Sequence, residues 1–265
     1  MANLKNDVDN TNFVTAIAGG ALASNDSITL YRWATRFLTN CGIHGAIDLL
    51  SFLATRGWSG NFDADPLVIQ CNQATSVFTI RSSGQIFRLR SGGGTIKQLV
   101  FDPASNMFLD FNDAICPLLR AYGGEVYAGS SLNLTTGHFA KNARARLLES
   151  ANAVTTLNLR DNAWVETQRD FTTANVYNGC LKINHVDVTP GTINQFGGMT
   201  QWMTGGASGG TLNAYSGVLD FSGCEANITF AGGILDRSVI VRKPKSGATV
   251  DLSALTAQGG EADYE

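Results

Sequence analysis

The sequence predicts an all-β fold: a right-handed parallel β-helix of short 17–19-residue coils, preceded by a small α-helical N-terminal region. Three observations carry this. Charged residues are only 15% and glycines number 29 in 265 residues, against roughly 25% and 7% in ordinary domains. That balance suits many tight turns between short strands under a neutral polar surface. The second half alternates apolar and polar residues around Gly-containing hinges, as in TLNAYSGVLDFS (211–222). Finally, near-copies of that stretch recur at TLNLRDNAWVET (156–167), TANVYNGCLKIN (173–184) and TINQFGGMTQWM (192–203). Asn158, Asn175, Asn194 and Asn213 fall in one column at steps of 17, 19 and 19 residues, and Asn133 fits the same frame after a longer connection. A repeat of this kind governs the fold.

Taken singly, each copy reads as a hairpin, because Ser-Gly or Asn-Gly between alternating strands favours a tight reversal. A string of hairpins, however, gives no reason for a regular step. In a parallel solenoid each copy is one coil and stacks on the last at about 4.8 Å. Equivalent residues then form columns, and the Asn amides ladder outside. Leu157/Leu159, Ala174/Val176, Ile193, Leu212/Ala214 and Ile228/Phe230 point inward on one face. Leu181/Ile183, Trp202, Leu219/Phe221 and Val250/Leu252 do so on another. Short coils suit a slim section of triangular outline, and the absence of a hexapeptide rhythm favours the right hand.

In chain order, residues 1–60 read as a polar arm followed by two short helices that cap or dock. NDSITLYRWATRFLTNCG (25–42) has an Asp/Ser N-cap, a spaced apolar set and a terminal Gly, and GAIDLLSFLATRG (45–57) follows the same plan. Residues 61–253 form the β-helix, beginning with SVFTIRSSGQIFRLR (76–90), and residues 254–265 a polar C-terminal tail. FVTAIAGGALAS (13–24) has the look of a signal peptide, but Asp7 and Asp9 beside Lys5 give the wrong charge before it, so secretion is not expected. No apolar run approaches the roughly 20 residues that span a bilayer, and no membrane partner is expected.

The chemistry-bearing residues are sparse. Cys41, Cys71, Cys116, Cys180 and Cys224 are odd in number and widely spaced, which points to buried thiols rather than zinc or a disulfide framework. His44, His138 and His185 have no metal-ligand spacing. SGGGT (91–95) lacks the frame of a phosphate loop. Asp220, Asp236 and Asp251 read as one column, a solvated face before a cation site or a catalytic set. Trp33, Trp58 and Trp202 read as core, with Trp164 at a bend. No catalytic residue, metal or cofactor is expected. A net charge of −3 argues against nucleic acid. Between Pro66 and Phe101 there is no acid, while Arg81, Arg88, Arg90 and Lys97 are present. With Lys5, Arg32 and Arg36 they form a docking set for an acidic protein surface. Tyr177 and Tyr215, at turn positions, are candidates for subunit contact.

The repeated T-L-N-x-Y-x-G-x-L-D-F-S stretch, over about residues 75 to 253, resembles the repeats of autotransporter adhesins and of short β-helical structural proteins of tailed bacteriophages. Among the latter, a β-helix with a polar arm and a helical foot is similar to head decoration (cement) proteins. The resemblance implies a non-enzymatic virion protein made in the host cytoplasm. It would bind the major capsid protein on the outer surface of the head, as a homotrimer. A tailspike or tail-fibre protein that binds or cleaves glycans, and a bacterial surface adhesin module, are the alternatives.

Overall fold

The computed structural model describes residues 3–5, 27–31, 47–49, 67–71, 77–81, 86–90, 98–102, 108–112, 115–185, 187–203, 210–259 and 263–264. They fall in two compact units, Met1–Leu134 and Thr135–Glu265.

In the first unit the strands Asn3–Lys5, Ser27–Tyr31, Val77–Arg81, Gln98–Phe101 and Ile115–Ala121 pair in that order, all parallel. A second parallel row runs Leu67–Cys71, Ile86–Arg90, Phe108–Asn112, Glu125–Ala128, and Ile47–Leu49 joins its first strand antiparallel. Leu99, Phe101, Leu119, Ala121, Val126 and Ala128 are buried between the rows. The predicted helices are corrected here. Ser27–Tyr31 and Ile47–Leu49, from the middle of segments 25–42 and 45–57, are strands, and the rest of both segments lies outside the described residues. No helix occurs among the described residues. The helical spacing of Ile28, Tyr31 and Trp33 is real, but Ser-Ile-Thr-Leu-Tyr also alternates and is β-branched. Pairing on both edges with Asn3–Lys5 and Val77–Arg81 overrides local helix preference.

The second unit is a β-solenoid. One row stacks Asn133–Phe139, Val154–Leu159, Phe171–Val176, Pro190–Gln195, Thr211–Ala214, Gly232–Asp236 and Leu255–Gln258, each parallel to the next. The other stacks Arg144–Leu147, Trp164–Thr167, Cys180–Ile183, Met199–Trp202, Gly217–Asp220, Val239–Arg242 and Asp263–Tyr264. Seven coils therefore share two faces, and the serial-hairpin alternative falls because every one of these pairs is parallel. Among the described residues, a third face is strand-paired between Ile228–Thr229 and Val250–Asp251 alone. The segment read as a tail contributes strands to both rows.

The register explains the repeat. Leu157, Ala174, Ile193 and Leu212 occupy one inward column, and Val165, Leu181, Thr200 and Leu219 the facing one. Each buried Leu or Ile contributes about 1.5–3 kcal/mol, and because the pattern repeats, a slip by one residue would turn every column outward. Trp202 is fully buried, its ring 4.4 Å from Phe221 and edge-on to Phe230 at 5.8 Å. Val250 and Leu252, expected inside, are half-buried.

Candidate functional site: a corner ridge on the stacked coils

At the end of each first-row strand the chain turns a tight corner into the second row. The residue that opens the corner sits outside, and its backbone N–H closes on the preceding coil. Tyr177 donates to the Leu159 carbonyl at 3.0 Å, Phe196 to Val176 at 2.8 Å and Tyr215 to Gln195 at 2.8 Å. These bonds hold the three rings one coil apart. Tyr177 and Phe196 stack with centroids 5.1 Å apart and planes at 15°. Phe196 and Tyr215 stack at 5.3 Å and 8°. The Arg160 guanidinium carbon lies 4.3 Å from the Tyr177 centroid and covers that end. At the other end, the register Ala214↔Leu235 sets Asp236 beside Tyr215. Ser238 ties them together, its hydroxyl 2.8 Å both from the Tyr215 carbonyl and from Asp236 Oδ1. Phe196 is 45% exposed. Because the rings stack along the coil axis, their faces cover one another and their edges face solvent. The sequence singled out Tyr177 and Tyr215 but missed Phe196 between them; the column was visible once Asn175, Asn194 and Asn213 were aligned.

Alongside runs the Asn ladder. Asn175 Nδ2 donates to Asn158 Oδ1, Asn194 to Asn175 and Asn213 to Asn194, each at 2.9 Å. Asn133 does not join it: His138 occupies the position opposite Asn158. Two residues before the ladder, Thr136, Thr156, Thr173, Thr192 and Thr211 share a second column.

The second row carries a charge-paired column, Arg146, Glu166, Lys182, Gln201, Asp220 and Arg242, in register. Lys182 Nζ lies 3.6 Å from Glu166, which also accepts from the Asn184 amide. Gln201 Nε2 donates to Asp220 at 3.2 Å, and Arg242 lies 4.0 Å from the same carboxylate oxygen. The expected Asp column is thereby corrected. Asp220 faces Arg242, Asp236 faces Gln258 and Asp251 faces Thr229, on three different rows. Each aspartate instead accepts the backbone N–H of the serine two residues on: Ser222, Ser238 and Ser253, each at 2.9 Å. The three share a local turn but not a row. No cluster of three His, Cys, Asp or Glu suited to a metal occurs among the described residues.

The docking set is placed in part. Lys5, Arg81, Arg88 and Arg90 lie on strands, with Arg88 in register with Asp110 and Arg90 with Asn112. Arg32, Arg36 and Lys97 lie outside the described residues. Burial pushes the Cys116 thiol up to about 12 and those of Cys180 and Cys224 to about 11, so all three stay protonated. His185 Nδ1 accepts the Asp187 N–H at 3.2 Å, and its Nε2 lies 3.5 Å from Glu149. Two buried polar residues escaped the sequence altogether. Gln195 takes an inward place and donates to the carbonyls of Ser216 and Val218 at 3.0 and 3.1 Å. Arg169 donates Nε to the Leu148 carbonyl at 2.7 Å, and burial lowers its pKa to about 10. Neither differs in local sequence from a surface residue. Comparison with family models, curated proteins and solved structures returned no match.

Proposed function

We propose that this chain is a non-catalytic structural protein of a virion surface, a decoration or cement protein that binds the outside of a phage head and stiffens it. The observation that carries this is the use made of outward side chains in the second unit. Glu166, Lys182, Gln201, Asp220 and Arg242 are engaged from coil to coil, and so is the Asn158–Asn213 ladder. Groups bonded this way hold register and resist shear, and the backbone bonds of each coil are closed by its neighbours. A stiff body of this kind suits mechanical support. The winding expected is right-handed, as parallel crossovers generally are. The partner is the major capsid protein, and the acid-poor stretch with Arg81, Arg88 and Arg90 supplies the charge for docking on it. Several copies bridging several capsomers gain from multivalency, since each weak contact becomes intramolecular once the others hold. A tailspike reading is less well supported. Sugars stack on open ring faces, and the ridge rings spend theirs on one another and on Arg160.

Co-sedimentation tests the proposal. Full-length chain is mixed with empty heads of the phage whose genome carries its gene, alongside a variant with Arg81, Arg88 and Arg90 changed to Glu. The wild type pellets with heads and the variant stays in the supernatant. Wild-type chain left in the supernatant, or chain that shortens the host's surface polysaccharide, would overturn the proposal.

A further inference from the structure

We propose that the solenoid of the second unit binds a water molecule in its interior, in the coil 190–202. The site is the corner where Gln195 ends the first-row strand and Thr200 enters the second. It rests on polar atoms inside the coils and involves no outer surface, so it stands or falls apart from the decoration reading.

Inward places along the solenoid are mostly apolar, and this coil departs from that rule twice. Where the coils before and after carry Val176/Leu181 and Ala214/Leu219, it carries Gln195 and Thr200, both fully buried. Gln195 spends its Nε2 on the carbonyls of Ser216 and Val218, at 3.0 and 3.1 Å, which fixes the amide and turns Oε1 away from them. Four buried side-chain polar atoms among the described residues have no hydrogen-bond partner within the chain. Three of them belong to this coil: Gln195 Oε1, Thr200 Oγ1 and Trp202 Nε1. Thr167, another inward threonine, shows how the chain settles such a group by itself. Its hydroxyl donates to the Arg169 carbonyl at 3.0 Å and accepts the Arg169 N–H at 3.2 Å. Native interiors pair nearly all their buried polar atoms, so three orphans in one coil point to a ligand.

The chemistry of the three selects water. The amide oxygen accepts, the hydroxyl does either, and the indole N–H donates. Water gives one hydrogen to Gln195, shares a bond with Thr200 and accepts from Trp202, which makes about three bonds, the usual number for a buried water. No carboxylate joins the set, since Asp220 on the next coil is engaged by Gln201, Ser222 and Arg242. A lone amide oxygen and a hydroxyl make no cage for a metal ion. Coils stacked about 4.8 Å apart exclude anything much larger than water. The register brings the groups together. Val218, whose carbonyl Gln195 holds, pairs with Met199, the residue before Thr200. Thr200 is shorter than Leu181 and Leu219 on either side, and Ala214 follows Gln195 in its column, so the corner has room. Trp202 is the next inward place, about 7 Å along the strand.

Urea unfolding of full-length variants tests this by the sign of the change. Thr200→Val keeps the shape and removes the hydroxyl. Loss of a bridged hydroxyl strands the water and Gln195 Oε1, and the folding equilibrium constant falls about tenfold. A dry, unpaired hydroxyl would leave the variant as stable as wild type or more so. Gln195→Met removes the other end of the bridge. Joined through one water, the two changes are not additive, and the double variant loses clearly less than the sum. A high-resolution crystal structure of the wild type gives a view that does not depend on any variant folding. It should show water at hydrogen-bond distance from both Gln195 Oε1 and Thr200 Oγ1. Undiminished stability of Thr200→Val, additive losses, or no water between those two atoms overturns the proposal.

Discussion

Asn194 works twice in the amide ladder: its Nδ2 donates to Asn175, and its Oδ1 accepts from Asn213. Asn213 takes part in the ladder through one bond, donated by its own Nδ2 to Asn194. With each such bond worth about 0.5–1.5 kcal/mol net, Asn194→Ala should cost about 1–3 kcal/mol and Asn213→Ala about half of that. Urea unfolding of the two variants measures the ratio, and equal losses would mean that the ladder is not a chain of separable bonds. The aspartate turns offer a pH test. Hydrogen bonds from the Ser238 N–H and hydroxyl hold the Asp236 carboxyl below the usual carboxylate range, and Ser253 does the same for Asp251. A carboxyl depressed in the folded state adds stability above its unfolded pKa of about 3.9, and that contribution is lost as pH falls through the folded value. Ser238→Ala should therefore raise the Asp236 pKa, followed by NMR titration, while Asp251 stays put. At this scale the sequence was legible wherever a residue type repeated at a fixed step. Asn133 was misplaced because its coil is longer, so that His138 reaches the ladder position. Asp220, Asp236 and Asp251 were misjoined because each follows a strand, though on different rows.

Strands and corners follow a simple division of labour. The strand interior needs alternation, and the corner needs a residue that turns without a side chain in the way. Gly198 has φ +70°, and a Cβ there would meet the Gly179 carbonyl oxygen at 2.1 Å. Gly247 has φ +85° with nothing within 4 Å. Alanine at Gly247 thus adds backbone strain alone, about 1 kcal/mol, whereas alanine at Gly198 must also push two coils apart. Thermal unfolding should show Gly198→Ala clearly lower than Gly247→Ala; equal midpoints would argue that the corner is looser than described. The same division explains what the pattern revealed and concealed. Alternation with a regular step identified the parallel coils from Val154 onward. It could not tell strand from helix in Ser27–Tyr31, where short apolar spacing fits either and the deciding partners, Asn3–Lys5 and Val77–Arg81, are remote in sequence.

For the molecule as a whole, the two units differ in how their charges are placed along the chain. The acid-free stretch from Pro66 to Phe101 lies in the first unit, and the coil-to-coil pairs Glu166/Lys182 and Asp220/Arg242 lie in the second. A surface whose ionic groups pair with one another exerts little long-range field, so binding through the basic stretch should weaken as salt is raised while the coils hold. Head binding measured against sodium chloride, with circular dichroism in parallel, checks this; binding indifferent to salt would exclude the basic stretch as the docking surface. The class of function was less legible than the fold, because rigidity is written in repeats whereas a partner is written on the partner's surface. The most direct measurement is cryo-electron microscopy of empty heads incubated with saturating full-length chain. The account predicts regular added density on the outer face of the shell. Bare shells at saturation would contradict it.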